Sequence, residues 1–83
     1  MLRKIEFDFE DMTHGEARKI QYKLGSDVQV YRAFIDPYRK RGTVIFDKEK
    51  DTEEIKKEIG IEFQIKKGRD MTVKELIAQS LNR

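Results

Sequence analysis

Hydrophobic and charged residues alternate at the start of the chain. Ile5, Phe7 and Phe9 occupy every second position, and charged residues stand between them. A period of two is typical of a strand that buries one face and exposes the other. The pattern therefore predicts a strand over residues 2–10.

A helix is predicted next. Thr13 and Glu16 have the spacing of a capping box, in which each side chain binds a free backbone amide of the first helical turn. Apolar residues then recur at helical spacing, and a glycine stands where the helix is expected to end: Ala17, Ile20, Leu24 and Gly25.

The following segments predict a β-hairpin. Its first strand, residues 27–35, is rich in Val, Tyr, Phe and Ile, and three consecutive apolar residues near its end indicate either a bulge or burial on both faces. A turn containing Pro37 and Gly42 follows, and residues 43–47 form the return strand.

A helix and a strand are predicted after the hairpin. Asp51 and Glu54 have capping-box spacing and open a short helix that ends at Gly60. A fourth strand follows, because every second residue is apolar up to a glycine that closes it: Ile61, Phe63, Ile65 and Gly68.

The last predicted element is a helix that begins with a third capping box, Thr72 and Glu75. Met71 precedes the cap and is expected to pack on Leu76. The buried face of this helix is expected to consist of its apolar residues: Val73, Leu76, Ile77, Ala78 and Leu81.

The order of elements is βαββαβ with a terminal helix. This order predicts an α+β, ferredoxin-like two-layer sandwich, in which an antiparallel sheet carries helices on one face. Right-handed crossovers place the first strand in the centre, antiparallel to the third and fourth strands. We expect residues 1–83 to form a single domain.

The composition is dominated by charge. Charged residues make up 41% of the chain and hydrophobic residues 37%, yet the net charge is only +2. This balance excludes a strongly basic polyanion binder and an acidic tail, while the aromatic and β-branched residues argue against disorder. Because there is no cysteine, disulfides, Cys-ligated metal centres and thiol catalysis are excluded.

The same composition bears on origin and location. A Lys- and Glu-rich surface without cysteine is the pattern of heat-adapted proteins, so we expect a thermostable protein from a prokaryote. No apolar run is long enough for a membrane span, and the first residues do not have the pattern of a signal peptide. We therefore expect a cytoplasmic protein that does not bind membranes.

No catalytic constellation is evident in the sequence. His14, the only histidine, is interpreted as an exposed residue at a helix start, in preference to a general base or a metal ligand. Ser26 and Ser80 lie outside any nucleophile motif, and neither a Walker loop nor a dinucleotide fingerprint is present. The sequence predicts a protein that is not an enzyme.

Two acidic stretches are candidates for binding a divalent cation. The first follows one face of the first strand, where like charges lie about 6.5–7 Å apart and a Ca²⁺ ion would relieve their repulsion: Glu6, Asp8, Glu10 and Asp11. The second partly matches the spacing of an EF-hand loop, with Thr52 in place of the usual glycine: Asp47, Glu49, Asp51 and Glu53. The alternatives are carboxylates paired with basic neighbours on a solvated sheet face, and carboxylates that complement a helix dipole.

Two basic stretches raise the alternative of a nucleic-acid or phosphate-binding domain: Arg39, Lys40 and Arg41 in the hairpin turn, and Lys66, Lys67 and Arg69 after the fourth strand. The same residues also suit solubility and protection of a sheet edge. Thr43 stands where an RNA-recognition motif needs an aromatic residue, and the acidic first strand would repel phosphate. Nucleic-acid binding is therefore not favoured.

The length, the near-even charge, the acidic first strand and the stretch from Asp11 to Glu16 together resemble a small archaeal protein family with an α+β fold. Calcium binding has been discussed for that family, so the resemblance implies a Ca²⁺ ion held by surface carboxylates. The expected function is accordingly weak Ca²⁺ binding by a small non-catalytic protein. A structural subunit and a homodimer, which would enlarge a small core, are further alternatives.

Overall fold

Seven elements make up the part of the chain that the computed structural model describes, namely the backbone of residues 1–81 and the side chains of residues 1–78. In chain order they are β1 (Leu2–Asp8), α1 (His14–Gly25), β2 (Val30–Asp36), β3 (Arg41–Asp47), α2 (Thr52–Ile59), β4 (Gln64–Met71) and α3 (Val73–Leu81). The predicted order of strands and helices is confirmed.

The four strands form one antiparallel sheet in the order β2-β3-β1-β4. β1 lies in the centre and pairs with β3 along its whole length, from Leu2 opposite Asp47 to Asp8 opposite Arg41. Its other side pairs with β4, with one irregularity of register next to Phe7. The predicted ferredoxin-like sheet, with the first strand between the third and fourth, is confirmed.

The main core lies between one face of this sheet and the helices α1 and α2. Since side chains of a strand alternate between faces, every second residue of β1 and β3 contributes to it. The fully or nearly fully buried residues of this core are Ile5, Phe7, Phe9, Ile35, Val44 and Phe46 from the strand side, and Ala17, Ile20, Leu24, Ile55 and Ile59 from the helices.

Phe7 and Gly42 of the two central strands lie opposite each other in the register and in close contact. A Cβ atom at Gly42 would lie 2.5 Å from Cζ of Phe7 and 3.0 Å from Cδ1 of Ile35. Only a residue without a side chain fits there, because the Phe7 ring lies across β3 in the space that a side chain would need.

The terminal helix α3 packs on the opposite face of the sheet. Leu76 contacts a small cluster formed by Leu2, Ile45 and Met71, and Ile45 faces away from its buried neighbours Val44 and Phe46. The predicted packing of Met71 on Leu76 is confirmed, as is the Thr72–Glu75 capping box: Glu75 N donates to Thr72 Oγ1 and Thr72 N to Glu75 Oε1.

The prediction that the other apolar residues of α3 are buried is wrong for those whose side chains the structure describes. Val73 and Ile77 are each 55% exposed and Ala78 is exposed, while the side chain of Leu81 lies outside the described residues. Among the side chains of α3 that the structure describes, Leu76 is the one packed against the apolar cluster on this face.

The other two helix starts also follow the sequence closely. At α1, Glu16 N donates to Thr13 Oγ1 and Thr13 N donates to Glu16 Oε1, so the capping box is complete. At α2, Asp51 caps the helix by accepting from Glu53 N, but Glu54 binds Lys50 and does not complete the box. α2 ends at Gly60 in the left-handed conformation, as predicted.

The fourth strand differs most from the prediction. The apolar alternation of residues 61–65 predicted a strand there, whereas β4 runs from Gln64 to Met71 and is mostly exposed. Ile61 and Phe63 precede it and pack against the core from a loop. An edge strand needs an apolar face only where another element covers it. The polar sequence of β4 therefore lacks the apolar alternation from which a strand is predicted.

Two smaller differences from the prediction concern the end of β1 and the position of the irregularity in β2. β1 ends at Asp8, one residue before the amide of Phe9 donates to the carbonyl of Lys40 in register with β3. The irregularity in β2 lies between Val30 and Arg32, not in the apolar run that follows, where Phe34 is 55% exposed. No helix among the described residues is long and apolar enough to cross a lipid bilayer.

We expect Gly42→Ala to lower the free energy of unfolding by about 1–3 kcal/mol, the usual cost of forcing a methyl group into a filled core. Gly25→Ala is the matched control, since nothing lies within 4 Å of a Cβ there. This control should be neutral or stabilising by up to about 1 kcal/mol, because alanine favours a helix. Urea unfolding measures both, and equal stability of the two variants would contradict the proposed contact.

Candidate functional site

The first acidic stretch is divided by the fold. Glu6 and Asp8 lie on the open face of β1, whereas Glu10 and Asp11 lie beyond the end of the strand. Lys4 Nζ lies 3.5 Å from Glu6, Lys66 Nζ 3.9 Å from Asp8 and Lys40 Nζ 3.4 Å from Asp11. Three of the four carboxylates therefore already have a cation close by.

The second acidic stretch is used for local backbone contacts. Asp47 Oδ1 accepts from the amide of Glu49, and Asp51 Oδ1 accepts from the amide of Glu53. The carboxylate of Glu53 in turn binds Lys56 at 3.2 Å. These are the contacts of a turn and a helix start, and they engage the carboxylates of Asp47, Asp51 and Glu53 with nearby amides and a helix neighbour.

The predicted basic residues are also largely paired. Arg39 lies 3.9 Å from Asp36, Lys40 contacts Asp11, Lys66 contacts Asp8 and Arg69 binds Glu75 at 2.9 Å. Lys66, Lys67 and Arg69 lie within the edge strand β4, not after it, whereas Arg39 and Lys40 lie in the turn between β2 and β3 and Arg41 begins β3.

The loop between β1 and α1 brings together donor atoms of a different kind. Met12 is partly buried against the core, and His14, two residues later, is the exposed first residue of α1. Thr13 between them caps the helix, which fixes the backbone of all three residues. The loop thus places a thioether and an imidazole on either side of a helix cap.

The turn between β2 and β3 holds this loop in place. Asp36 organises the turn by accepting from the amides of Tyr38 and Arg39. Lys40 adopts a left-handed conformation (φ 57°), and its carbonyl accepts from Phe9 N at 3.1 Å. Because its ammonium group also reaches Asp11, this one residue makes two contacts with the segment before the helix.

An aromatic contact adds to these links. The ring of His14 meets the ring of Tyr38 edge to face, with 4.8 Å between the ring centres. Such contacts contribute about 0.5–1.5 kcal/mol when they are well packed, and less on an exposed surface. The imidazole is therefore oriented by the neighbouring turn.

A partly buried ion cluster lies elsewhere in the molecule, around Lys50. Its side chain is only 7% exposed, and Nζ lies 2.8 Å from Asp27, 3.1 Å from Glu54 and 3.5 Å from Glu58. Asp27 belongs to the loop after α1, whereas the two glutamates belong to α2. Lys50 therefore fastens the loop after α1 to the second helix.

The protonation states of this cluster follow from its contacts. The hydrogen bond from Lys50 lowers the pKa of Asp27 to about 2, and the hydrogen bond to Asp27 raises the pKa of Lys50. Burial, together with the neighbouring Asp27 carboxylate, raises the pKa of Glu58. Oε2 of Glu58 is buried without a hydrogen bond from any described group, so it lacks a donor when ionised.

The sequence matches a known protein family. Residues 5–83 match the profile of a family described as protein of unknown function (DUF3213), and the chain belongs to that family. No curated protein sequence shows significant similarity to it.

Solved structures with the same fold include two copper domains. The N-terminal domain of a potential copper-translocating P-type ATPase from Bacillus subtilis, solved in its Cu(I)-loaded state, is 28% identical, with a TM-score of 0.69 over 86% of this chain and 95% of that one. The yeast copper transporter domain Ccc2a, solved in apo and Cu(I)-loaded states, is 20% identical, with a TM-score of 0.68 over 81% and 99%. At 20% identity, the yeast comparison shows the fold alone.

The predicted Ca²⁺ cofactor and the function built on it are wrong. The two solved domains described above were determined with Cu(I), and among the described residues no group of three or more His, Asp or Glu side chains could hold a metal ion. The physical reason is the pairing above, since carboxylates that already bind ammonium groups and amides gain little from a hard cation.

The nucleic-acid alternative is also wrong. The solved structures that share the fold are copper domains, and most of the basic residues predicted to bind nucleic acid contact carboxylates instead.

Two features of the site were missed in the sequence. The sequence analysis did not predict Met12 as a metal ligand. Its position two residues before the only histidine is a sequence feature that could have indicated this role. The cluster of Asp27, Lys50 and Glu58 has no local signal, because its members come from three separate segments.

We expect Glu58→Gln to raise the free energy of unfolding at pH 7. The raised pKa of Glu58 means that the folded protein disfavours its ionised form, and this cost is fully present above the folded pKa. Glutamine removes the charge and keeps an amide that can donate to Asp27, so we expect a gain of up to about 1 kcal/mol. Urea unfolding at pH 7 measures it.

The gain should shrink towards pH 4.5, the ordinary pKa of a glutamate, because Glu58 becomes protonated in the wild type. Asp27, with its pKa of about 2, stays ionised throughout this range and does not interfere. Glu54→Gln is the control: this carboxylate is 61% exposed and binds the same lysine, so its loss should give no gain. A Glu58→Gln variant less stable than the wild type at pH 7 would refute this account.

Proposed function

We propose that this member of the DUF3213 family is a non-catalytic domain that carries a soft metal cation, with Cu(I) as the first candidate. The donors in this proposal are the thioether of Met12 and the imidazole of His14. The observation that carries it is their position on either side of Thr13, in a fold that matches 95% or more of two copper domains.

The donor atoms of the chain decide which kind of site can be built. Thiolates are excluded because the sequence has no cysteine. Met71 is 1% exposed in the core and Met1 belongs to the opposite end of β1, which leaves Met12 and His14, two residues apart in the chain, as the soft and borderline donors. Thioethers select Cu(I) and imidazole also suits copper, so these residues fit a two-donor site and do not fit a thiolate centre.

The electrostatics of the loop favour a soft ion over a hard one. Asp11 is the nearest carboxylate in sequence to the two donors, and it is bound to Lys40. A hard cation would compete with that ammonium group for the Asp11 carboxylate, whereas a soft ion needs only the neutral sulfur and nitrogen atoms.

Two neutral donors give a weaker site than thiolates do. We therefore describe the ion as a cargo that is taken up and released, and not as a resident cofactor. The capped helix and the turn around Lys40 would hold the donors in place before the ion arrives. The cytoplasmic location, the heat stability and the absence of enzymatic activity stay predictions.

The proposal is tested by titrating the protein with Cu(I) under anaerobic, reducing conditions against a chromophoric Cu(I) chelator. We expect one equivalent to bind, and we expect Met12→Leu and His14→Gln each to lower the affinity on the order of tenfold or more, because each removes one of two ligands. NMR of the His14 ring and the Met12 methyl group should show shifts confined to this loop.

Asp11→Asn is the matched control in the same loop. It removes a hard donor and leaves both soft donors, so it should keep the Cu(I) affinity of the wild type. Far-UV circular dichroism checks that each variant is folded. The proposal fails if the wild type does not compete for Cu(I), or if the two donor variants bind as well as Asp11→Asn does.

A further inference from the structure

A groove opens at the end of the sheet, where the segment after β1 and the segment before β4 diverge. Its volume is about 990 Å³. Four of its lining residues are apolar, Phe9, Ile61, Phe63 and Ile65, and they are called the floor below. Phe63 is held by the core, since its ring centre lies 4.9 Å from that of Phe7, while Ile65 is 40% exposed.

The rim of the groove is acidic. It carries four carboxylates, Asp8, Glu10, Asp11 and Glu62, against the ammonium groups of two lysines. One of these lysines, Lys56, also binds Glu53 at 3.2 Å. The groove therefore has a local negative excess, although the whole chain carries a net charge of +2.

The carboxylates of the rim are not equally engaged. Asp8 and Asp11 have lysines within 4 Å, whereas Glu10 and Glu62 are exposed and no ion pair joins them to a described residue. Glu10 follows β1 and Glu62 precedes β4, so two carboxylates from the two diverging segments stand above an apolar floor. A cationic group between them would meet little competition from within the protein.

We propose that this groove is a docking site for a short peptide segment of a partner protein that carries both basic and apolar side chains. The apolar side chains would cover Ile65 and Phe63, and the basic ones would meet Glu10 and Glu62. The acidic rim favours a positively charged partner because opposite charges attract. The apolar floor favours a peptide with apolar side chains over a small cation, which offers charge alone.

Neither Met12 nor His14 lines the groove, and docking is tested on protein without metal, so either proposal can fail alone. The probe is an acetylated hexapeptide of alternating lysine and leucine, labelled for fluorescence anisotropy. Binding should weaken as salt is added, because exposed charges are screened. NMR shifts should map to the groove.

Variants of the rim provide the decisive comparison. Glu10→Gln and Glu62→Gln should each weaken binding of the peptide about two- to fivefold, the range for one exposed charge pair. Glu49→Gln is the matched control, an exposed glutamate in the loop before α2, and should bind like the wild type. Ile65→Thr should also weaken binding, because it removes apolar floor.

Three results would overturn the proposal. A lysine–serine peptide or spermine that binds as tightly as the lysine–leucine peptide would show that charge alone is recognised. Equal binding by Glu49→Gln and the two rim variants would place the peptide elsewhere. If light scattering shows that the protein self-associates as its concentration rises, and the groove becomes covered as it does so, the occupant would be a second copy of this chain.

Discussion

The contact between Phe7 and Gly42 is the constraint on which the rest of the structure depends. Phe7 is completely buried on the central strand, and its ring occupies the space above β3 that a side chain at position 42 would fill. The same ring contacts Phe9, where the chain leaves β1, and Phe63, where it approaches β4. One side chain therefore sets the positions of both segments that diverge at this end of the sheet. The loop with Met12 and His14 and the acidic groove are built on those two segments.

Local interactions made much of this fold predictable. The caps at Thr13, Asp51 and Thr72 are formed between residues two or three positions apart, so a short stretch of sequence contains both partners. The alternation in β1 is equally direct, because the strand is central and one of its faces is buried. The edge strand β4 was misplaced for the opposite reason. Ile61 and Phe63 alternate like a strand but satisfy the core from a loop, whereas the true strand is polar and is defined by its pairing with β1.

The site was harder to predict than the fold, because charge pairing is a long-range property. Sequence spacing showed that carboxylates are crowded along the chain and left their pairing with basic neighbours such as Lys66 as an alternative, but it could not decide that Lys66 reaches Asp8 or that Lys40 reaches Asp11. Each of these pairs joins segments about thirty or more residues apart, and each removes part of the repulsion that a bound Ca²⁺ would have relieved. The absence of cysteine was visible in the sequence and excluded a thiolate centre, but it gave no indication that the fold is shared with copper domains.

A copper-domain fold without thiolates changes the electrostatics of metal binding. Thiolate ligands bring negative charge to a site and so attract a cation strongly, whereas the thioether and imidazole of the proposed site are neutral. In the adjoining turn, Arg39 and Lys40 are balanced by Asp36 and Asp11, next to Tyr38 and its contact to His14. A monovalent ion at such a site would be held by donor softness and not by charged ligands. Its affinity would therefore be low and its release fast, as a domain that hands on its cargo requires.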